Sequence, residues 1–290
     1  INTMNSVWIG YGEQSTIVTE PSEEAITNAL IKVTRPNKTL VCFVEGHGEP
    51  DIEDLESPRG FAQLQTALEN ENYDVKKVLL VNVEKVPAEC NIVVAVGTDR
   101  PYVANEVKAL GDFLRGGGHV LLLAPPRAGA ELKPLLADWG VTAGDDVVVD
   151  QVMRLFQGPA IGLEPITKTY GAHEITEAIK DITAFPMTRS LKATGSNPTL
   201  RVTELVRTSP SSWAETDMEG LFERRQVAQD AGDTQGPVSI AVAVEPVNPE
   251  GQAAGGGRLV AFGSSEFLQN RTFLGSNYNR ELFLNSIGWL

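Results

Sequence analysis

Three runs of unbroken apolar residues, TLVCFV (39–44), NIVVAVG (91–97) and HVLLLAPP (119–126), constrain this chain more than any other feature. A strand with one face in water alternates apolar and polar residues, whereas a strand apolar at every position must be covered on both faces. Helix-spaced residues separate the runs. Phe61, Leu64 and Leu68 follow Ser57-Pro58, and Val103, Val107, Leu110 and Leu114 follow Pro101, which the spacing places at a helix N1 position. After the third run come Leu132, Leu135, Leu136 and Trp139, closed by Gly140. Strand and helix alternating in this way predict βαβ units on an open, mainly parallel α/β sheet with helices on both faces.

The flanks of this core read differently. Residues 1–36 carry a hairpin pattern (Val7–Thr19) and a helix (Ala25–Val33) capped by Ser22, and then the breaker Arg35-Pro36-Asn37-Lys38. Residues 37–290 form the α/β domain, with irregular insertions expected at about 151–200 and 209–236. LRVTELVRT (200–208), PVSIAVAVEP (237–246) and RLVAFG (258–263) add strands from the C-terminal half. A last amphipathic helix, 277–290, stops at Trp289-Leu290, and the expectation is a soluble piece excised from a longer protein.

Length and composition set outer limits. With 290 residues, 42% of them hydrophobic and 21% charged, the chain can bury a full core. A net charge of −14 with no basic–aromatic cluster argues against nucleic-acid binding. No segment has the eighteen or more apolar residues of a membrane span. Cys42 and Cys90 fall at apolar runs and read as small core residues of adjacent strands, a disulfide between them being the less favoured alternative.

Chemistry-bearing residues gather where the expected sheet presents the carboxyl ends of its strands, the place where open α/β sheets hold ligands. The loop VEGHGEPD (44–51) sets His47 between Gly46 and Gly48, with Glu45, Glu49 and Asp51 alongside. Thr98, Asp99 and Arg100 follow the second run, Pro125 to Arg127 the third, and Ser264 and Glu266 the last strand. The candidate ligand site is therefore His47, Glu49, Thr98, Arg100, Arg127, Ser264 and Glu266, suited to a small polar or carbohydrate ligand. His119 follows three glycines at the opposite sheet edge and His173 lies in the irregular region; both read as structural. There is no G-x-G-x-x-G, P-loop or G-x-S-x-G elbow, so no nucleotide cofactor, and indeed no cofactor or catalytic residue, is expected. The alternative is a hydrolase or carbohydrate-active enzyme using Glu45, His47 and Glu49, with or without a metal.

Taken together, EEAITNALIKVTR (23–35), TLVCFVEGHGEPD (39–51), the stretch from ECNIVVAVGTDR to HVLLLAPP, GPVSIAVAV (236–244) and RLVAFGSSEFLQN resemble the auxiliary component of gliding-motility-type ABC transporters. The resemblance covers nearly the whole chain and is weakest over 150–200 and 217–235. It implies a flavodoxin-like, class I glutamine amidotransferase-like core, likened also to the amino-terminal domain of an intraflagellar-transport subunit. It further implies a non-enzymatic accessory domain outside the cytoplasm, anchored in a bacterial inner membrane through segments absent from this sequence, with an ABC permease and ATPase as partners.

Overall fold

A computed structural model of the chain describes residues 6–34, 38–151, 162–195, 197–275 and 278–290. Residues 35–37 of the breaker and 152–161 of the first expected insertion lie outside the described residues. Strands β1 (Val7–Tyr11) and β2 (Gln14–Val18) form an antiparallel hairpin, followed by helix α1 (Glu23–Thr34). Then come β3 (Leu40–Glu45), α2 (Ala62–Asn70), β4 (Asp74–Leu79), β5 (Ile92–Val96), α3 (Ala104–Arg115), β6 (His119–Leu123) and α4 (Lys133–Asp138). The remaining strands are β7 (Val141–Ala143), β8 (Val147–Asp150), β9 (Ile166–Thr167), β10 (Thr169–Tyr170), β11 (Thr183–Ala184), β12 (Leu191–Ala193), β13 (Leu200–Arg207), β14 (Ser212–Glu215), β15 (Thr234–Gln235), β16 (Ser239–Pro246) and β17 (Arg258–Phe262). The last helix is Asn279–Trp289.

The expected α/β sheet is present with eight strands, in the order β10-β13-β16-β17-β6-β5-β3-β4. The segment β17-β6-β5-β3-β4 is parallel throughout, and β10, β13 and β16 extend it as an antiparallel wing. The sheet is buried on both sides for the reason the apolar runs gave. Val41, Phe43, Val94 and Leu121 point into a core shared with Leu64 and Leu68 of α2 and with Leu282, Phe283 and Ile287 of the last helix. Their neighbours Cys42, Val44, Val93 and Leu122 point the other way, onto Leu110 and Leu114 of α3 and Leu135 and Leu136 of α4. Each such side chain contributes about 1.5–3 kcal/mol on leaving water. No residue of the hairpin or α1 belongs to either core cluster.

Two local expectations are corrected. Cys42 and Cys90 are not free core thiols but a disulfide, their Cα atoms 5.7 Å apart. Cys90 lies in the turn just before β5, not within a strand, and parallel β3 beside it presents Cys42 on the same face. Helix α3 begins at Ala104, three residues after Pro101, because residues 101–103 run extended and Val103 serves as its N-cap. Its buried side is Glu106, Ala109, Leu110, Gly111 and Leu114, and Val103 is exposed.

The strand order fixes where a ligand can sit. From the first parallel strand, β3, the chain crosses to β4 on one side and then returns to β5 on the other. The loops leaving the carboxyl ends of β3 and β5 therefore part company and leave a crevice between them.

Candidate functional site

At this switch point the loop after β3 folds inward. Gly46 and Gly48 have φ of +119° and +86°, values that L side chains rarely adopt, and they turn His47 under the loop so that it is 8% exposed. Both ring nitrogens of His47 are engaged: Nδ1 lies 2.9 Å from Glu49 Oε1 and Nε2 lies 2.9 Å from Glu106 Oε2. Glu49 also accepts the His47 backbone N–H at 2.8 Å, which closes the loop on itself. Glu106, wholly buried in the first turn of α3, accepts the Val103 N–H at 2.8 Å through the same oxygen that faces the imidazole. The first turn of a helix favours a carboxylate, both through its free N–H groups and through the helix dipole.

Two nitrogen-to-carboxylate contacts need two protons among three groups. Either an imidazolium lies between two carboxylates, or a neutral ring lies between one carboxylate and one carboxylic acid. The Tyr102 ring stacks on the imidazole, centroids 4.1 Å apart and planes at 17°. Its hydroxyl sits between Glu49 Oε1 at 3.2 Å and the Val96 carbonyl at 3.1 Å. Burial first, then the Glu49 charge, push this phenol well above its ordinary range, so it stays a neutral donor. Thr98 Oγ1 donates to the His47 carbonyl at 2.8 Å and ties the β5 loop to the β3 loop.

Above this locked cluster lies a crevice of about 410 Å³. The β3 loop contributes His47 and Pro50, the β5 loop Thr98, Asp99 and Arg100, the β6 loop Pro125 and Pro126, and the segment after β17 Ser265, Glu266 and Gln269. Met187 closes one side with φ +48°, and Arg127 on the β6 loop has φ +61°. Such conformations cost of order 1–3 kcal/mol each and cluster at functional sites. Gln269, 7% exposed, keeps an amide oxygen that accepts no hydrogen bond. Behind the Pro125 and Ala128 carbonyls stands a buried guanidinium, Arg189, which donates to both. Burial lowers its pKa and the Asp146 charge opposes that.

Of the seven candidate residues, the structure brings His47, Thr98, Arg100 and Glu266 to the crevice. It does not bring the other three. Glu49 lies beneath the loop as the His47 partner, and Ser264 is fully buried with its hydroxyl donating to the Pro186 carbonyl. Arg127 turns outward, its guanidinium 4.5 Å over the Phe222 ring. Sequence reasoning missed Glu106, Tyr102 and Gln269. Glu106 stands four and eight residues before Leu110 and Leu114, a spacing that places it on the buried side of the helix, and that signal was available.

The loop chemistry needed by a hydrolase is not supported. His47 has no nitrogen left for a substrate proton, and Asp51 is held by Lys77 at 2.7 Å, the chief reason its carboxyl lies below the usual range. Among the described residues no three His, Cys, Asp or Glu side chains converge on a point that suits a metal. The other histidines sit elsewhere. His119 Nδ1, at the amino end of β6, accepts the Arg258 N–H at 3.2 Å, and His173 Nδ1 accepts the Ile175 N–H at 3.2 Å as a helix cap.

Comparison with known proteins agrees with this architecture. The N-terminal domain of mmIFT52 superposes with a TM-score of 0.60 at 17% identity, covering 86% of this chain and 96% of that one. A cytoplasmic protein from Salmonella typhimurium gives 0.50 at 13% identity, covering 87% and 98%. At these identities the likeness concerns the fold alone. No curated protein matches by sequence. Among the described residues no helix is long and apolar enough to cross a membrane. The family described as "ABC-type uncharacterized transport system" matches residues 38–286, from the strand before the His47 loop into the last helix, and this chain belongs to it.

Proposed function

We propose that the chain is a non-enzymatic accessory domain of an ABC transport system, which faces the extracytoplasmic side and holds a small polar ligand in the switch-point crevice for the permease and ATPase it accompanies. Family membership supports the transport role. The observation that carries the ligand-holding part is the saturation of His47: the residue best placed for proton transfer is bonded at both ring nitrogens, so the crevice above it binds without reacting. The Cys42–Cys90 disulfide supports an oxidising compartment, where such bonds persist. Anchoring in the inner membrane through segments outside this sequence completes the proposal, and a gliding-motility setting is its narrowest form.

The test is affinity purification of the full-length parent from membranes in mild detergent, followed by mass spectrometry. Recovery of an ABC ATPase and permease in stoichiometric amounts is the expected result. Recovery of the parent alone, or from the soluble fraction with Cys42 and Cys90 reduced, overturns it.

A further inference from the structure

Resting on the reading of the crevice as a ligand-holding site, we propose that its ligand is a zwitterion with its two charges close together, that is, a free α-amino acid. The charges on the crevice wall point to this class. Asp99 and Arg100 stand side by side on the β5 loop, both exposed, and among the described residues neither takes part in an ion pair. Glu266, across the crevice, is already neutralised by Arg271.

A neutral polyol seated here can hydrogen-bond both Asp99 and Arg100 but returns no charge to either. A simple anion gains Arg100 and meets Asp99, and a simple cation has the opposite fault. A ligand with both signs on one small frame satisfies both. Its carboxylate takes the guanidinium of Arg100, a pairing that planar fork geometry favours. Its ammonium, with three N–H donors, takes Asp99. Pro125, Pro126 and Met187 form an apolar wall for the remainder of the molecule. The crevice, at about 410 Å³, lies in the size range of small-molecule sites. His47 serves as floor.

Isothermal titration of the 290-residue chain with each of the twenty protein L-amino acids tests this, with glycine betaine and maltose as controls. At least one amino acid is expected to saturate a single site. For that amino acid, N-acetylation and carboxyl amidation should each weaken binding by about tenfold or more, since each removes one charged hydrogen-bonded group. Arg100→Ala and Asp99→Asn should weaken it likewise while the circular dichroism spectrum is retained. Glycine betaine, which has the charges without N–H donors, should bind more weakly than glycine. The inference is overturned if no amino acid binds, if the acetylated and amidated forms bind as well as the parent, or if only maltose binds. Co-purification of the ATPase and permease together with failure of every titration sinks this inference and leaves the transport reading standing.

Discussion

At the scale of single residues, His47 carries the most consequence. It is the common partner of two buried carboxylates, so its removal leaves Glu49 and Glu106 facing each other without a cation or a shared proton. His47→Ala is expected to destabilise the fold by about 3–5 kcal/mol, the range for breaking a buried pair from one side. Glu106→Gln, which keeps the shape and the Val103 hydrogen bond, should cost clearly less; equal losses in urea denaturation would show that the cluster is held by packing alone. The other two histidines are expected to weaken the fold in acid. Burial is the first cause that lowers both below the ordinary 6.5; Arg258 adds to it at His119, while at His173 the Glu245 and Glu174 charges oppose it and Arg201 and Arg258 add to it. Each also accepts a backbone N–H through Nδ1, which a protonated ring cannot do. A lowered folded-state value means that the unfolded chain binds protons first, so their contribution is full above about 6.5 and is lost as pH falls through the folded values. Melting temperature followed from pH 7 to 5 should decline, and the pair His119→Gln with His173→Asn should flatten that decline. An unchanged slope would assign the acid loss to other groups.

At the scale of elements, the disulfide and the start of α3 decide how the site is held. Cys42 on β3 is joined to Cys90 just before β5, the two strands whose far ends part to form the crevice. Closing a loop with a sequence separation of 48 should stabilise the fold by about 4 kcal/mol through the unfolded chain. Replacing Cys42 and Cys90 by Ala should lower the urea midpoint accordingly, and a shift under about 1 kcal/mol would refute that estimate. The central elements were legible from the sequence because their signals are local: an apolar run long enough for β3, β5 or β6 needs no knowledge of its neighbours. What was not legible depends on contacts distant in sequence. The pairing of Cys42 with Cys90 follows from parallel register, which no spacing reveals. Of the antiparallel wing, β13 and β16 are legible as strands and β10 is not, and their direction relative to β6 is set by chain returns of unknown length. The Pro101 helix start failed because Tyr102 finds better partners under His47 than it has in a helical turn. The candidate site was half legible for the same reason. Strand ends locate loops, but only packing decides that Arg127 turns toward Phe222 and Ser264 toward the Pro186 carbonyl.

At the scale of the whole molecule, the hairpin and α1 stand apart from the rest. They add no strand to the eight-stranded sheet and no side chain to either core cluster, and the family match begins at residue 38. Residues 38–290 alone should therefore fold, with a melting temperature within about 4 °C of the full chain, roughly what 1–2 kcal/mol represents at this size. A truncated form that is molten by near-UV dichroism would show that the amino-terminal unit is needed after all. Strand β17 is the last strand in the chain, yet it lies between β6 and β16, with Arg258 paired to His119. The crevice wall that carries Ser265, Glu266 and Gln269 follows directly after it. A chain that stops short of residue 258 keeps Asp99 and Arg100 but lacks the wall that faces them. A crevice lined from residues 47 to 269 is thus complete only when the two ends of the sheet's sequence have met, which ties its shape to the folding of the whole domain.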